Sequence, residues 1–563
     1  MRSRTVVEMS STRALLGPST VMATGTVLSR ITGIARDIAL AAALGFFLVS
    51  DAYSLGNSLP TIVYILVVGG ALNAVFIPQL VRRMESDADD GKAYADRLLT
   101  LTGSVLIVLA IAAVITAPWI VDLYTPADYP QEQFELAVAF ARLCLPQIFF
   151  YGVYTMLAQV LNSRGKFGAP MFAPIANNIV AIATFGLFIA VAGTSAAADG
   201  ELTTGQVLLL GIGTTFGVVV QAIILFPVLS RAGYNWRPRF DWRDQGLGKA
   251  AKLAGWTIGL VLVNQITYVV ITRLAAQANV DAAAAGVTAA GITTYQKAHL
   301  VFMLPHSVIT ISIVTALLPA LSRLAHEGKL KEVGDDVAGA MRVVAALIVP
   351  VSALLLVLGS DVSVVLFGYG AATTEQAAVM GDIVSIFMLG LLPFTLFYVL
   401  LRGFYSLEDT RTPFLVTVAF SAVMLVLVVG LFSVLTNVGV TGAGGPQVAS
   451  IALGYVLAYW FGFALLWLWL ALRLGGLQTP RTIWVLVRLV FAGVATVAVM
   501  AIARVYLINS GPLPEWSAQV TSAVTIVVIG AIGAGAFVLF AWLVRVQEVS
   551  SALRMVKSKV MRS

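Results

Sequence analysis

The stretch Ser29-Arg-Ile-Thr-Gly-Ile-Ala-Arg-Asp37 sets two guanidinium groups and a carboxylate inside the first apolar segment of this chain. A charge at the centre of a membrane helix costs roughly 2.5–3.5 kcal/mol on insertion scales, so helices that keep one usually face a watery cavity or an ionic ligand. Arginine is the side chain whose planar fork matches phosphate and carboxylate oxygens. The chemistry expected of Arg30 and Arg36 is therefore capture of an anion. For a helix entering near residue 20, Arg30 lies about 15 Å deep and Arg36 about 24 Å deep. Arg30 and Asp37 share a face two turns from each other, too far for a direct pair, which leaves Arg30 in want of another anion. Arg36 is rotated by about 120° from Arg30, so both can border one wide cavity. Gly33 between them leaves room for a bulky group, and Ser29 flanks the site. A helix beginning only at Ile38 would leave 38–50, too short for a bilayer core about 30 Å thick.

Four further basic residues fall within apolar segments or near their outer ends: Arg142, Arg273, Lys297 and Arg504. Arg273 and Lys297 either line a cavity or reach to the outer surface. Arg142 is read as structural, paired with Glu135 or with a neighbouring helix, and Arg504 as structural. Asp51, in the first outer turn, is a candidate partner for Arg36 or another arginine. Asn73, Asn177 and Asn178 are expected to hydrogen-bond helix to helix.

Nothing else suggests bond-making chemistry. The single cysteine, Cys144, excludes an intramolecular disulfide and a cysteine-rich metal site. His299, His306 and His326 lack metal-ligand spacing, and no Walker-type glycine loop is present. An enzyme is not expected, nor is a bound cofactor or metal.

The elements that must hold these charges are membrane helices. The chain has 563 residues, of which 59% are hydrophobic and 11% charged, against about 25% charged in soluble domains. Its mean hydropathy is +0.92. Fourteen apolar spans are expected, near 20–46, 55–80, 98–120, 135–160, 169–193, 204–230, 253–278, 289–320, 338–359, 377–402, 413–436, 447–472, 482–508 and 518–544. The polar segment 1–19 is read as a cytoplasmic N-terminus and not as a cleaved signal peptide. Most Lys and Arg fall in alternate connections, among them the basic linker 231–252 and the basic tail 545–563, whereas 47–54, 121–134, 194–203, 360–376, 437–446 and 509–517 hold none. That alternation places both termini in the cytoplasm. The net charge of +7 thus reflects topology; nucleic acid is not an expected partner, and the tail is expected on anionic headgroups.

Short patterns repeat at a nearly constant offset. Phe76-Ile-Pro-Gln-Leu-Val-Arg82 matches Leu317-Leu-Pro-Ala-Leu-Ser-Arg323, Ser163–Pro170 matches Ser406–Pro413, and Leu123-Tyr124 matches Leu366-Phe367. Two pseudo-symmetric six-helix lobes follow, 20–230 and 253–472, with an appended pair at 482–544. Because six is even, the halves keep one orientation, and the binding site is expected between them.

Together these segments resemble the MurJ (MviN) family of lipid II flippases in the MOP exporter superfamily, along nearly the whole chain. The resemblance rests on Ser29–Asp37, Ser50-Asp-Ala-Tyr53 with Leu59-Pro60, Gly70–Pro78, Leu161–Pro170 with Phe172-Ala-Pro174, and Gly403–Pro413. It implies an all-α polytopic protein of the bacterial plasma membrane with MATE-like, V-shaped lobes and a lipid-tail groove formed by the last two helices. The implied substrate is lipid II, an undecaprenyl-pyrophosphate-linked precursor carried to the outer leaflet for peptidoglycan synthesis. It also implies functional roles for Arg30, Arg36 and Asp51. Some members carry an arginine at Tyr64, a glutamate at Gly69 and an Asp-Arg pair at His299-Leu300; Lys297 is the candidate replacement for that charge. Phe414–Phe432 lacks the acidic or amide residues of the sodium site described in part of the family. Coupling to membrane potential or an ion gradient is expected, as is a monomer. A flippase for another lipid-linked oligosaccharide and a MATE-like cation or drug antiporter remain alternatives.

Overall fold

The computed structural model describes residues 24–66, 91–198, 200–241, 247–288, 290–437, 444–509 and 516–548. All regular elements among them are helical. The Phe76–Arg82 copy of the repeated motif and Asn73 lie outside the described residues, as do 1–19 and most of the 545–563 tail. The chain divides into two compact units, Met1–Gln265 and Ile266–Ser563.

Unit 1 contains α1 (24–44), α2 (Leu48–Tyr64), α3 (Lys92–Ile115), α4 (Ala117–Tyr124), α5 (Gln131–Cys144), α6 (Gln147–Ser163), α7 (Gly168–Ala192), α8 (Thr204–Ile223) and α9 (Leu225–Arg231). The unit boundary falls within α10 (Leu247–Ala285). Unit 2 continues with α11 (Ile292–Pro305), a π-helical turn His306–Thr310, α12 (Ile311–His326), α13 (Leu330–Phe367), α14 (Thr374–Ser406), α15 (Arg411–Asn437), α16 (Gly444–Leu474), α17 (Thr479–Asn509) and α18 (Ala518–Leu543).

Among the described residues twelve helical segments are long and apolar enough to cross a membrane. They match twelve of the fourteen expected spans. The other two are α1, which carries three charged residues, and α2, whose expected span continues beyond the described residues. Proline, which lacks an N–H and crowds the preceding turn, divides what hydropathy reads as single spans. Pro118 opens α4 after the break at Thr116, and Pro146 stands between α5 and α6.

The Ser163–Pro170 and Ser406–Pro413 copies share a turn. Gly165 and Glu408, 243 residues apart, both take a left-handed conformation, with φ of +72° and +56°. Each closes the same helix end: Lys166 N–H donates to Leu161 O at 2.8 Å, and Asp409 N–H to Phe404 O at 3.1 Å. Gly165 adopts this shape freely, whereas an L residue such as Glu408 meets a steric cost of about 1–2 kcal/mol. Holding the turn without glycine shows how strongly the flanking helices dictate it.

Unit 1's core gathers Leu44, Val49, Tyr53, Phe140, Phe185 and Phe188 from α1, α2, α5 and α7. Tyr53 meets Phe140 and Phe185 edge-on at 5.2 and 5.8 Å, and its hydroxyl lies 2.7 Å from Thr214 Oγ1 on α8. This packing holds the C-terminal end of α1, beyond the charged stretch. In unit 2 the last two helices are fastened along α13. Arg342 Nη1 donates to Gln478 Oε1 and Thr482 Oγ1, both at 3.0 Å, and Gln478 Nε2 donates to Asp335 Oδ1 at 2.9 Å. Leu358, Met500 and Ile529 form an apolar cluster further along.

Candidate functional site

The charged positions of α1 are held unequally. Arg30 is exposed and Ser29 half-buried, while Asp37 is buried. Arg36 keeps 38% of its side chain accessible. Its Nη2 approaches both carboxylate oxygens of Asp37 at 3.4 Å, and its Nη1 donates to Asn178 Oδ1 on α7 at 3.3 Å. Asp37 is thus taken by its chain neighbour, and the structure brings Ser29, Arg36 and Asp37 together around Asn178.

Asn178 is oriented from its other end. Its Nδ2 donates to Thr32 Oγ1 at 3.0 Å and to the carbonyl of Ser29 at 3.2 Å, which turns the amide oxygen toward Arg36. A Cβ added at Gly33 would lie 3.7 Å from the same nitrogen, an ordinary contact. The neighbouring Asn177 serves packing: its Oδ1 sits where a Cβ on Gly217 of α8 would fall, 2.5 Å away.

The contacts of Arg36 are long for charge-assisted bonds, which usually span about 2.7–2.9 Å. A guanidinium has five N–H donors, so the fork is steered here rather than spent. Counting Arg30 and Arg36 against Asp37, α1 carries one excess positive charge. Such an arrangement has the chemistry to accept an oxyanion, and among the described residues around it no nucleophile and proton-transfer pair share a common atom.

Asp51 is fully buried in the first turn of α2, where the positive end of the helix dipole favours a carboxylate. Burial and the Asp51 charge both push the Tyr129 phenol, in the loop before α5, above its ordinary value. In unit 2, Arg273 is exposed on α10 and Lys297 is buried on α11. Two residues on, His299 is boxed by Tyr295, Phe302, Phe387 and Tyr455, with ring centroids 5.5–6.1 Å away. Its Nε2 lies 3.3 Å from the Tyr455 hydroxyl.

The secondary candidates separate. Arg504 pairs with Asp361, Nη2 to Oδ2 at 3.0 Å, and donates Nη1 to the Val357 carbonyl at 2.7 Å, a structural role as expected. Arg142 is exposed, and Glu135 instead accepts from Gln131 at 2.9 Å, so the expected Glu135 partnership gives way to a neighbour one helical turn away. Asn178 is the residue that sequence reading undervalued: an amide inside an apolar helix was visible, but its partners are 142–149 residues distant. Among the described residues no group of His, Cys, Asp or Glu forms a metal site.

Comparison with known proteins gives three findings. Residues 40–529 match the family model described as lipid II flippase MurJ. The chain is 30% identical over 449 residues to the "Probable lipid II flippase MurJ" of Rhizobium meliloti (strain 1021), covering 78% of this chain and 79% of that protein. It is 26% identical over 468 residues to the "Lipid II flippase MurJ" of Burkholderia cenocepacia, covering 82% and 84%. In fold it is similar to a solved structure described as "Lipid II flippase MurJ, inward closed conformation", with a TM-score of 0.69 at 19% identity over 93% of this chain and 98% of that one. An inward-facing MATE family transporter of the MOP superfamily aligns with a TM-score of 0.58 at 16% identity, over 82% and 99%.

Proposed function

The chain belongs to the lipid II flippase MurJ family, and from that premise we propose that it carries undecaprenyl-pyrophosphate-linked peptidoglycan precursor from the cytoplasmic to the outer leaflet by alternating access through a cationic cavity. It is a multi-pass membrane transporter and not an enzyme. Arg36 is the residue on which the pyrophosphate docks, with Arg30 as the exposed cation that meets it first. Ser29 and Asp37 frame that pair, and Asn178 sets the angle of the Arg36 fork. Within unit 2, Arg273 and Lys297 are the candidate substrate-binding cations, and Asp51 in unit 1 is a buried acid in the first turn of α2.

The observation that carries this reading is the long, steering geometry around Arg36, three contacts at 3.3–3.4 Å on a side chain that is still accessible. A pyrophosphate brings about two negative charges, and arginine forks offset part of the cost of taking it out of water. The membrane potential, worth about 2.3 kcal/mol per charge per 100 mV, resets the empty carrier or assists export of the anion. Both termini are placed in the cytoplasm by the distribution of basic residues. A cation antiporter wants an intramembrane carboxylate ready to exchange protons, and in α1 the carboxylate is held by Arg36.

The test is translocation of fluorescent lipid II in proteoliposomes under an imposed potential. The reading requires transport by the parent chain and its loss in Arg30→Ala and Arg36→Ala at normal expression. Intact lipid II transport in both variants ends the cavity role, and transport of another lipid-linked oligosaccharide in preference to lipid II ends the substrate assignment.

A further inference from the structure

Unit 1 contains a second feature, on the outside of the helices that follow α2. A cavity of about 280 Å³ opens between α3, α6 and α8 and is closed at one end by the segment after α9. Phe149, Phe150 and Val153 form its floor. The segment 234–241 forms no regular secondary structure, and its side chains alternate in whether they line the cavity. Trp236, Pro238 and Phe240 line the cavity, while Arg237 and Arg239 between them do not and are exposed.

This strap is anchored by its backbone and its ends, not by the two arginine side chains. Tyr234 Oη donates to Asp96 Oδ1 at 2.7 Å, Arg237 N–H donates to the same oxygen at 3.2 Å, and Arg239 N–H donates to Thr100 Oγ1 at 3.0 Å. Arg97 holds Asp241 through two bonds of 2.6 and 3.0 Å. Asp96 is also paired with Lys92 at 2.9 Å. Among the described residues the acids at the strap, Asp96 and Asp241, are hydrogen-bonded by Lys92 and Arg97, so Arg237 and Arg239 add positive charge beside an apolar hole.

The internal repeat supplies an independent observation. At the 243-residue offset, Leu99–Ile107 of α3 corresponds to Arg342–Pro350 of α13. In unit 2 that stretch is covered by protein: α17 hydrogen-bonds to Arg342, and Gly493 on α17 sits so close that an added Cβ would lie 2.8 Å from Val349 Cγ1. Leu392, Pro393 and Leu396, the counterparts of Phe149, Phe150 and Val153, are buried, whereas the unit 1 residues are half-exposed. One copy of the repeat closes this face with an added helix, and the other leaves it to the bilayer.

We propose that the unit 1 cavity holds one acyl chain of an anionic phospholipid, whose phosphate lies on Arg237 and Arg239. The apolar lining fixes the tail, the strap's aromatics cap it at headgroup level as interfacial aromatics do, and the two guanidiniums select charge. The lipid then does for unit 1 what α17 does for unit 2.

The experiment uses the full chain in nanodiscs containing trace phosphatidylglycerol with a diazirine in mid-acyl chain, and maps the photolabelled peptides by mass spectrometry. Labelling is expected within 99–107 and 149–157, at least fivefold above that from a matched phosphatidylcholine probe. Gly103→Leu fills the cavity at a position where a Cβ has 4.0 Å to its nearest neighbour, Phe149 Cε2, and should cut labelling at least fivefold; Ser104→Phe is the second filling variant. The pair Arg237→Gln/Arg239→Gln should bring phosphatidylglycerol down to the phosphatidylcholine level. Equal labelling by both probes, stronger labelling by a polyprenyl phosphate probe, or undiminished labelling in filling variants with unchanged thermal midpoints overturns the proposal.

Discussion

Arg36 and Arg504 are both arginines within membrane helices, and they are held in opposite ways. Arg504 joins α17 to α13 through a 3.0 Å ion pair with Asp361 and a 2.7 Å bond to a backbone carbonyl. Arg36 touches Asp37 and Asn178 at 3.3–3.4 Å. A guanidinium held by a close ion pair and a short bond to a backbone carbonyl has offset part of its desolvation cost inside the protein. One whose contacts are long keeps capacity for a further anion. The difference teaches that two arginines in apolar helices can be held differently, and under the proposed function it is the state of the donors, not the charge alone, that separates them.

The largest effect expected from this contrast is on Arg36→Ala. Loss of a charged hydrogen-bonding partner, worth about 1.5–3 kcal/mol, lowers lipid II translocation by roughly 10- to 100-fold, and the thermal midpoint falls modestly because the buried Asp37 loses its partner. Arg36→Lys keeps the charge without the fork and should fall between the two, which liposome flipping rates will show. Rates within twofold of the parent for Arg36→Ala would erase the distinction from Arg504.

Arg504→Ala should reverse the pattern. Removing one partner of a buried pair costs about 3–5 kcal/mol, but the Arg504 side chain is 30% accessible, so screening reduces this to about 1–2 kcal/mol. Thermal unfolding should shift down while flipping per folded molecule is unchanged. Restoring complementarity with Arg504→Asp/Asp361→Arg should recover part of the loss.

Asn178→Ala sharpens the comparison from the other side. It removes a neutral amide that orients Arg36 and ties α7 to α1, at a cost of about 1 kcal/mol for the hydrogen bonds. A fall in translocation of about 3- to 10-fold is expected, smaller than for Arg36→Ala. In a double-variant cycle, Arg36→Ala/Asn178→Ala should be no worse than Arg36→Ala alone, because the asparagine acts through the arginine.

Much of this was legible in the chain before its structure. Hydropathy located α13 through its apolar centre, 338–359, but not its full extent from Leu330 to Phe367, because the polar first turns carry no membrane signal. Arg30 and Arg36 declared themselves by being charged among Ile, Ala and Gly. Asn178 did not, since an amide has no sequence mark that says which distant helix it faces. The pairing of Arg504 with Asp361 was hidden for the same reason, and the Gln131–Glu135 bond displaced the longer-range Glu135 contact because a side chain four residues away on a helix is always within reach. Local periodicity is written in the sequence; long-range polar pairing is written in the packing.

The smallest effect concerns the surface ion pair that ends the strap of unit 1. Hydrogen bonding to Arg97 is the main cause holding the Asp241 carboxyl below its ordinary 3.8. A carboxylate with a lowered folded value contributes fully above its unfolded value and loses that contribution as pH falls through the folded one. Across pH 6–8 the pair is therefore constant, and it weakens only below about pH 4. Hydrogen exchange of 234–241, corrected for the intrinsic rate, should be flat over pH 6–8 and rise slightly in Asp241→Asn. The backbone bonds of Arg237 and Arg239 to Asp96 and Thr100 hold the strap without that carboxylate. Collapse of protection in Asp241→Asn would mean that an exposed pair governs a region assigned here to buried bonds, and it would blur the rule drawn from Arg36 and Arg504.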